Sequence, residues 1–206
     1  YSPFMITIVD YGMGNLGSLK NMFKRIGVNV LVESDPNKLA IADKLILPGV
    51  GSFDAAMSRI NNSSGLREIL EQKANVEKVP ILGVCLGMQL LTLSSEEGEL
   101  PGLGWIPAQT TRFPIKGGLK VPHMGWNVAL PSNENKLFVG IVREPRYYFV
   151  HSYLVKVEDP EHSLMQTHHG VDFDSAIGRD NIYGVQFHPE KSHRFGKQIL
   201  KNFTDL

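Results

Sequence analysis

In the first half of the chain, apolar residues gather into short continuous runs, and between the runs they fall at helical spacing. Residues 5–9 form a β-branched run, Leu16, Leu19, Met22, Phe23 and Ile26 recur every three to four positions, and residues 29–32 are strand-like again. The pattern predicts strands over 5–9, 29–32, 44–47 and 81–84, with helices over 16–26, 54–60, 66–74 and 86–93. Strands that are apolar throughout, rather than at alternate positions, are expected to be buried on both faces, as in a parallel sheet covered by helices. The fold class is therefore α/β.

From Gly98 the texture changes. Short strand candidates over 104–113, 125–130, 147–157, 164–168 and 183–187 are separated by Gly, Pro and Asn, with turns expected at Lys116-Gly117-Gly118 and His169-Gly170. This half reads as antiparallel hairpins on a mixed, mostly parallel sheet, closed by a helix over 195–203. No repeat, low-complexity tract or long linker interrupts the pattern, so residues 1–206 are read as one domain.

Composition narrows the classes of function. The 21 basic and 21 acidic side chains cancel, which removes any global attraction to nucleic acid or to an anionic membrane. The longest apolar stretch, residues 81–93, falls short of the ~20 residues of a membrane-spanning helix. A single cysteine excludes an internal disulfide and favours a cytoplasmic setting. Residues 1–4 carry no signal-peptide features, and Met5 is read as the native start.

That cysteine lies in Gly83-Val84-Cys85-Leu86-Gly87, between a buried strand and a helix. This is the nucleophile-elbow pattern with Cys for Ser: small residues two positions either side let the chain turn sharply enough to present the nucleophile. A thiol there meets the positive end of a helix, and the Leu86 N–H is free for an oxyanion. Further on, Gln186-Phe187-His188-Pro189-Glu190 follows a strand. Proline restricts its neighbour, so the segment is expected to run extended, with His188 and Glu190 on one side. Cys85, His188 and Glu190 together make a nucleophile, a base and an orienting carboxylate.

Pro48-Gly49-Val50-Gly51, at the end of the third strand, fits either an oxyanion-binding loop or a tight strand-to-helix turn. Gly12-Met13-Gly14-Asn15-Leu16-Gly17 matches the dinucleotide fingerprint literally, with Glu33 at the offset of a ribose contact. It is read as a glycine-rich turn, because the rest of the chain shows no separate catalytic domain and contains a competing triad. His162, His168, His169 and His193 lack metal-ligand spacing, and no metal or cofactor is expected. The elbow alone also admits a cysteine peptidase or small-molecule hydrolase, or a non-catalytic regulatory subunit.

Taken together, Gly83 to Gln89, the Pro48–Gly51 turn and Phe187 to Ser192 resemble the class I (triad) glutamine amidotransferases, and the likeness runs from Asp10 through residues 122–127 and 148–153 to the last helix. The resemblance implies a three-layer, flavodoxin-like fold. It also implies hydrolysis of L-glutamine to glutamate and ammonia through a thioester on Cys85, with His188 protonating ammonia and Glu190 holding His188. Val50, Gly51 and Leu86 would form the oxyanion hole, and Gln89, Val150, His151 and Ser152 would contact glutamine. Ammonia would pass to a (β/α)8 barrel partner, the cyclase subunit of imidazole glycerol phosphate synthase in histidine biosynthesis, docked against Asn15, His123, Trp126 and Lys191. Two features, His193-Arg194-Phe195-Gly196 and the Gly102-Leu103-Gly104-Trp105 turn, look more like paralogues serving a surface-polysaccharide sugar amidotransferase.

Overall fold

A computed structural model describes residues 5–206; the expectation for residues 1–4 lies outside the described residues. The first half follows the hydrophobic pattern closely. Strands β1 (Ile6–Val9), β2 (Val30–Glu33), β3 (Lys44–Leu47) and β4 (Ile81–Val84) alternate with helices α1 (Leu16–Ile26), α2 (Pro36–Leu39), α3 (Phe53–Asn62) and α4 (Leu66–Glu71), the last running into a π turn over Gln72–Val76. Short helix α5 (Leu86–Leu90) follows β4 directly. It ends three residues before the predicted boundary, where the Thr92 hydroxyl donates to the Gln89 carbonyl at 2.7 Å and competes with helix propagation.

The second half holds β5 (Ser94–Ser95), β6 (Ala108–Arg112), β7 (His123–Val128), β8 (Leu130–Pro131), β9 (Arg146–His151), β10 (Tyr153–Val157), β11 (Ser163–His168), β12 (Asp172–Arg179) and β13 (Ile182–Val185), then α6 (His193–Thr204). Three sheets result. The eight-stranded one runs β2-β1-β3-β4-β13-β12-β11-β8, and β10-β6-β5 and β7-β9 form two smaller sheets. In the large sheet the pairs from β2 to β13 are parallel, and those of β12 and β11 with their neighbours are antiparallel.

The later half departs from expectation in four places. The predicted strands over 125–130 and 147–157 are each two strands of different sheets, broken at Ala129 and at Ser152. The turn at Lys116-Gly117-Gly118 joins no hairpin, because β6 pairs with β10 and β7 with β9. Strand β12 was not predicted: Asp172, Asp174, Ser175 and Gly178 are poor strand formers, yet Asp174 is buried and accepts from the Val157 N–H at 2.9 Å.

Both faces of the inner parallel strands β1, β3 and β4 are covered. Ile6, Ile8, Ile46, Leu82 and Val84 pack with Leu19 and Phe23 of α1 and Ile199 and Phe203 of α6. Val9, Leu45, Leu47 and Ile81 pack on the other face with Phe53, Met57 and Ile60 of α3. Trp105 belongs to this second core and donates from its indole nitrogen to Glu71 at 3.0 Å, so its turn is a packing feature. Among the described residues no helix is long and apolar enough to cross a membrane.

Candidate active site

Parallel strands β3, β4 and β13 lie side by side, and the chain leaves all three at the same edge. Cys85 follows β4, the Pro48–Gly51 turn follows β3, and His188 follows β13. Cys85 adopts φ 60° and ψ −116°, a region non-glycine residues rarely occupy. The flanking glycines make this turn possible: a Cβ on Gly83 would lie 2.6 Å from the Gly87 carbonyl oxygen, and one on Gly87 would lie 1.9 Å from that of Leu47.

The proton-transfer side is assembled. Cys85 Sγ lies 3.0 Å from His188 Nε2, and His188 Nδ1 lies 2.6 Å from Glu190 Oε1. The extended run expected for His188-Pro189-Glu190 is not what achieves this. Pro189–Lys191 is a 3-10 turn capped by His188, because proline suits the first helical position. The turn is held in place where Ser192 Oγ donates to the His188 carbonyl at 2.6 Å and accepts from the Tyr148 N–H at 2.9 Å. Burial opposes charge on His188, but hydrogen bonds to Cys85 and Glu190, with the charges of both, push its imidazolium up to about 10.

The oxyanion side is arranged differently. The sequence led to the expectation of a free Leu86 N–H, and this fails: the group donates to the Gly49 carbonyl at 3.3 Å. Because the peptide is planar and trans, a Gly49 carbonyl aimed at Leu86 directs the Val50 N–H the opposite way. The preceding carbonyl, Pro48, is fixed by the Tyr11 hydroxyl at 2.6 Å. Gly51 has φ +106°, open to glycine and strained for other residues. Val50 and Gly51 are therefore at the site, in a conformation that leaves the hole unformed.

A cavity of about 390 Å3 opens beside Cys85 and is lined by Val50, Gly51, Leu86, Gln89, Val150, His151, Ser152, His188 and Lys191, so the expected substrate contacts come together. A larger depression of about 720 Å3 along residues 131–139 holds no candidate nucleophile. Sequence reasoning missed Glu97, which also lines the cavity and accepts from the Phe53 N–H at 2.7 Å. Nothing in the sequence separates it from Glu96. Gln186 and Tyr153 line the cavity too; Gln186 stood in the quoted motif without a role.

The expected docking residues divide. Asn15 is exposed at the start of α1, Lys191 is exposed beside the cavity, and Trp126 is 45% exposed on β7. His123 is a correction: it is 4% exposed, because on β7 it alternates inward, away from Met124 and Trp126. The glycine-rich turn after β1 also has a packing role. A Cβ on Gly14 would lie 2.9 Å from Pro48, and Glu33 accepts from the Ser34 and Asp35 N–H groups at 3.0 Å each, occupied by its own turn. Of the unassigned histidines, His193 stacks on Trp126 with centroids 5.4 Å apart. Among the described residues no group of three or more His, Cys, Asp or Glu side chains is placed to hold a metal ion.

The chain is similar to several known proteins. The family profile for glutamine amidotransferase class-I matches residues 7–206. The chain is 53% identical over 97% of its length to imidazole glycerol phosphate synthase subunit HisH 2 of Methanococcus maripaludis, and covers 98% of that protein. It is 49% identical to subunit HisH of Bdellovibrio bacteriovorus and 47% identical to subunit HisH 2 of Pseudomonas aeruginosa, each over 98% of this chain and 100% of the relative. Among solved structures, PurLQS from Thermotoga maritima superposes with a TM-score of 0.75 at 16% identity, covering 98% of this chain and 97% of that one. A solved glutamine amidotransferase gives 0.76 at 15%, over 97% of both chains. With a cysteine elbow, a histidine and a glutamate joined in one hydrogen-bonded line on this fold, the chain belongs to the class I glutamine amidotransferase family.

Proposed function

We propose that residues 1–206 form one cytoplasmic glutaminase domain, the ammonia-producing subunit of an imidazole glycerol phosphate synthase. The observation that carries the reading is the Cys85–His188–Glu190 line at the wall of a cavity that also contains a carboxylate, Glu97. An amino acid with an amide side chain suits such a cavity: its α-ammonium pairs with Glu97 while its carboxamide reaches Cys85.

The thiolate of Cys85 attacks the carboxamide carbon, and the carbonyl electrons move onto oxygen. His188 Nε2–H gives its proton to the departing nitrogen as the C–N bond breaks, leaving a glutamyl thioester and ammonia. Water then attacks the thioester, His188 takes its proton, and glutamate leaves with Cys85 regenerated. Glu190 keeps the imidazole turned toward Sγ throughout.

The oxyanion needs donors that the free chain withholds. Docking of the synthase subunit turns the Gly49–Val50 peptide, releasing Leu86 N–H and presenting Val50 N–H to the cavity. The docking face comprises Asn15, Trp126 and Lys191, with exposed Met124 beside Trp126 on β7. In this reading the partner is a (β/α)8 cyclase and ammonia passes directly into it. A second reading, a sugar amidotransferase partner, draws support from His193, whose ring lies on Trp126 and so puts this divergent residue on that face.

The test is to purify the full chain with its native partner, identify that partner by mass spectrometry and assay glutamate release. Glutaminase activity that needs a barrel cyclase and vanishes in Cys85→Ala is expected. A sugar amidotransferase in the complex selects the second reading, and glutamate release by Cys85→Ala overturns both.

A further inference from the structure

Beyond the triad, a run of polar groups leads inward from the cavity wall at Tyr153 and His151, and its donors and acceptors follow from one backbone atom. The Tyr153 carbonyl can only accept. His151 Nδ1 lies 2.7 Å from it, so Nδ1 carries the proton and Nε2 of the neutral ring is an acceptor. His123 Nδ1 lies 2.9 Å from that Nε2 and must therefore be the donor, which leaves His123 Nε2 as the acceptor for Asn127 Nδ2 at 3.1 Å. The far end is fixed independently. Asn127 Nδ2 also donates to the His168 carbonyl at 2.9 Å, and Asn127 Oδ1 accepts from the Val128 N–H at 2.8 Å. Backbone groups at both ends demand the same polarity, so the chain of bonds has one self-consistent assignment.

The same carbonyl orders a second branch. Gln89 Nε2 donates to it at 3.3 Å and to Gln186 Oε1 at 3.1 Å, which occupies both Gln89 hydrogens and turns the Gln186 Nε2 away into a buried position without a partner among the described residues. Gln89 is left with Oε1 as its free polar atom. Burial lowers the pKa of both rings, to about 4 for His123 with the neighbouring His169 adding to the effect, and to about 3 for His151. Phe113, Phe149 and Phe173 pack around the pair.

We infer that His123, Asn127 and Gln186 are positioning residues: through the Tyr153 carbonyl they hold His151 as a neutral Nδ1–H tautomer with its Nε2 occupied, and Gln89 as an acceptor for a substrate N–H. The consequence for the chemistry is exclusion. His151 lines the same cavity as Cys85, and a ring whose Nε2 is taken by His123 cannot compete with His188 for the thiol proton. His123 acts through His151 and touches no reacting atom.

Only the inhibitor measurements below rest on the glutaminase reading; the tautomers do not. Nitrogen-15 imidazole spectra of the full chain at pH 7 should show His123 and His151 as neutral Nδ1–H rings, with His169, which donates from Nε2 to the Lys120 carbonyl at 2.7 Å, as an internal contrast. A charged ring or an Nε2–H tautomer at either position overturns the inference. Alkylation of Cys85 by 6-diazo-5-oxo-L-norleucine, measured in the complex with the native partner, gives the kinetic test. In His123→Leu and Gln186→Met the half-saturating concentration should rise about tenfold while the maximal rate changes less than about threefold. His123→Asn, whose Nδ2 stands where Nδ1 was, should recover most of that loss. Unchanged saturation in both disrupting variants overturns the proposal, and if a variant fails to fold the wild-type spectra still decide. A wild-type complex that resists the inhibitor, while the chain shows the expected tautomers, counts against the glutaminase reading alone.

Discussion

The two sides of Cys85 are built from different materials and stand at different stages. Toward His188, the reacting groups are side chains, and the line from Sγ to Glu190 Oε1 is complete, with links of 3.0 and 2.6 Å. Toward Gly49, the donors are backbone N–H groups, and they are turned away or occupied. Side chains on the ends of rigid strands can be held ready without risk, because proton transfer without an oxyanion hole accomplishes little. A glycine-flanked peptide is the cheaper part to move. On the proposed reading, control of the reaction resides in the backbone turn, and chemistry in the side chains.

The sharpest way to break this contrast is on the side-chain face. Cys85→Ala should lower partner-stimulated glutaminase activity by at least about 10^4-fold, measured as glutamate release, since a missing nucleophile has no substitute. Glu190→Gln should cost about 10^3-fold in kcat by loosening the tautomer and orientation of His188. On the backbone face, Val50→Pro deletes one N–H and should cost about 10^2-fold in the complex. If Val50→Pro were as inactive as Cys85→Ala, the division between the two sides would fail.

Stability against pH sharpens it further. His188 is raised from its ordinary 6.5 to about 10, so its contribution is fully present below about pH 6.5 and is lost as pH rises toward 10. His123 and His151 are lowered from 6.5 to about 4 and about 3, so the unfolded chain binds more protons below 6.5 and stability falls as pH drops through that window. Denaturant melts should thus show a maximum near pH 6.5, and Glu190→Gln should flatten only the alkaline limb. The smallest effect concerns Cys85 itself. At φ 60°, Cys85→Gly should be more stable than Cys85→Ala by about 1 kcal/mol, the reverse of the order in ordinary helices and strands.

The parallel half was legible because strands β1, β3 and β4 are buried on both faces and say so in continuous apolar runs; α1, β3 and β4 fall on the predicted boundaries. The later half was less so. Strand β12 carries two aspartates and a glycine in the middle of the large sheet, and local propensity cannot register a buried Asp174 satisfied by Val157 N–H from another strand. The triad was readable from a pentapeptide and a His-Pro-Glu, although the turn joining the last two was misjudged as extended. Glu97 and the Tyr153 carbonyl left no trace: one is an ordinary glutamate beside another, and the other is a backbone atom whose importance depends on which side chains converge on it.

The close fit between Gly83 and Gly87 bears on how a lineage of such proteins could lose its chemistry. A Cβ at Gly83 collides with the Gly87 carbonyl, and one at Gly87 with that of Leu47, whereas the thiol of Cys85 projects into a cavity. Random drift would meet little folding resistance at Cys85 and severe resistance at its neighbours. A descendant kept only for binding would therefore preserve both glycines and discard the cysteine, so in any new genome the pair Gly83 and Gly87 dates the scaffold, while Cys85 alone reports whether the enzyme is still alive.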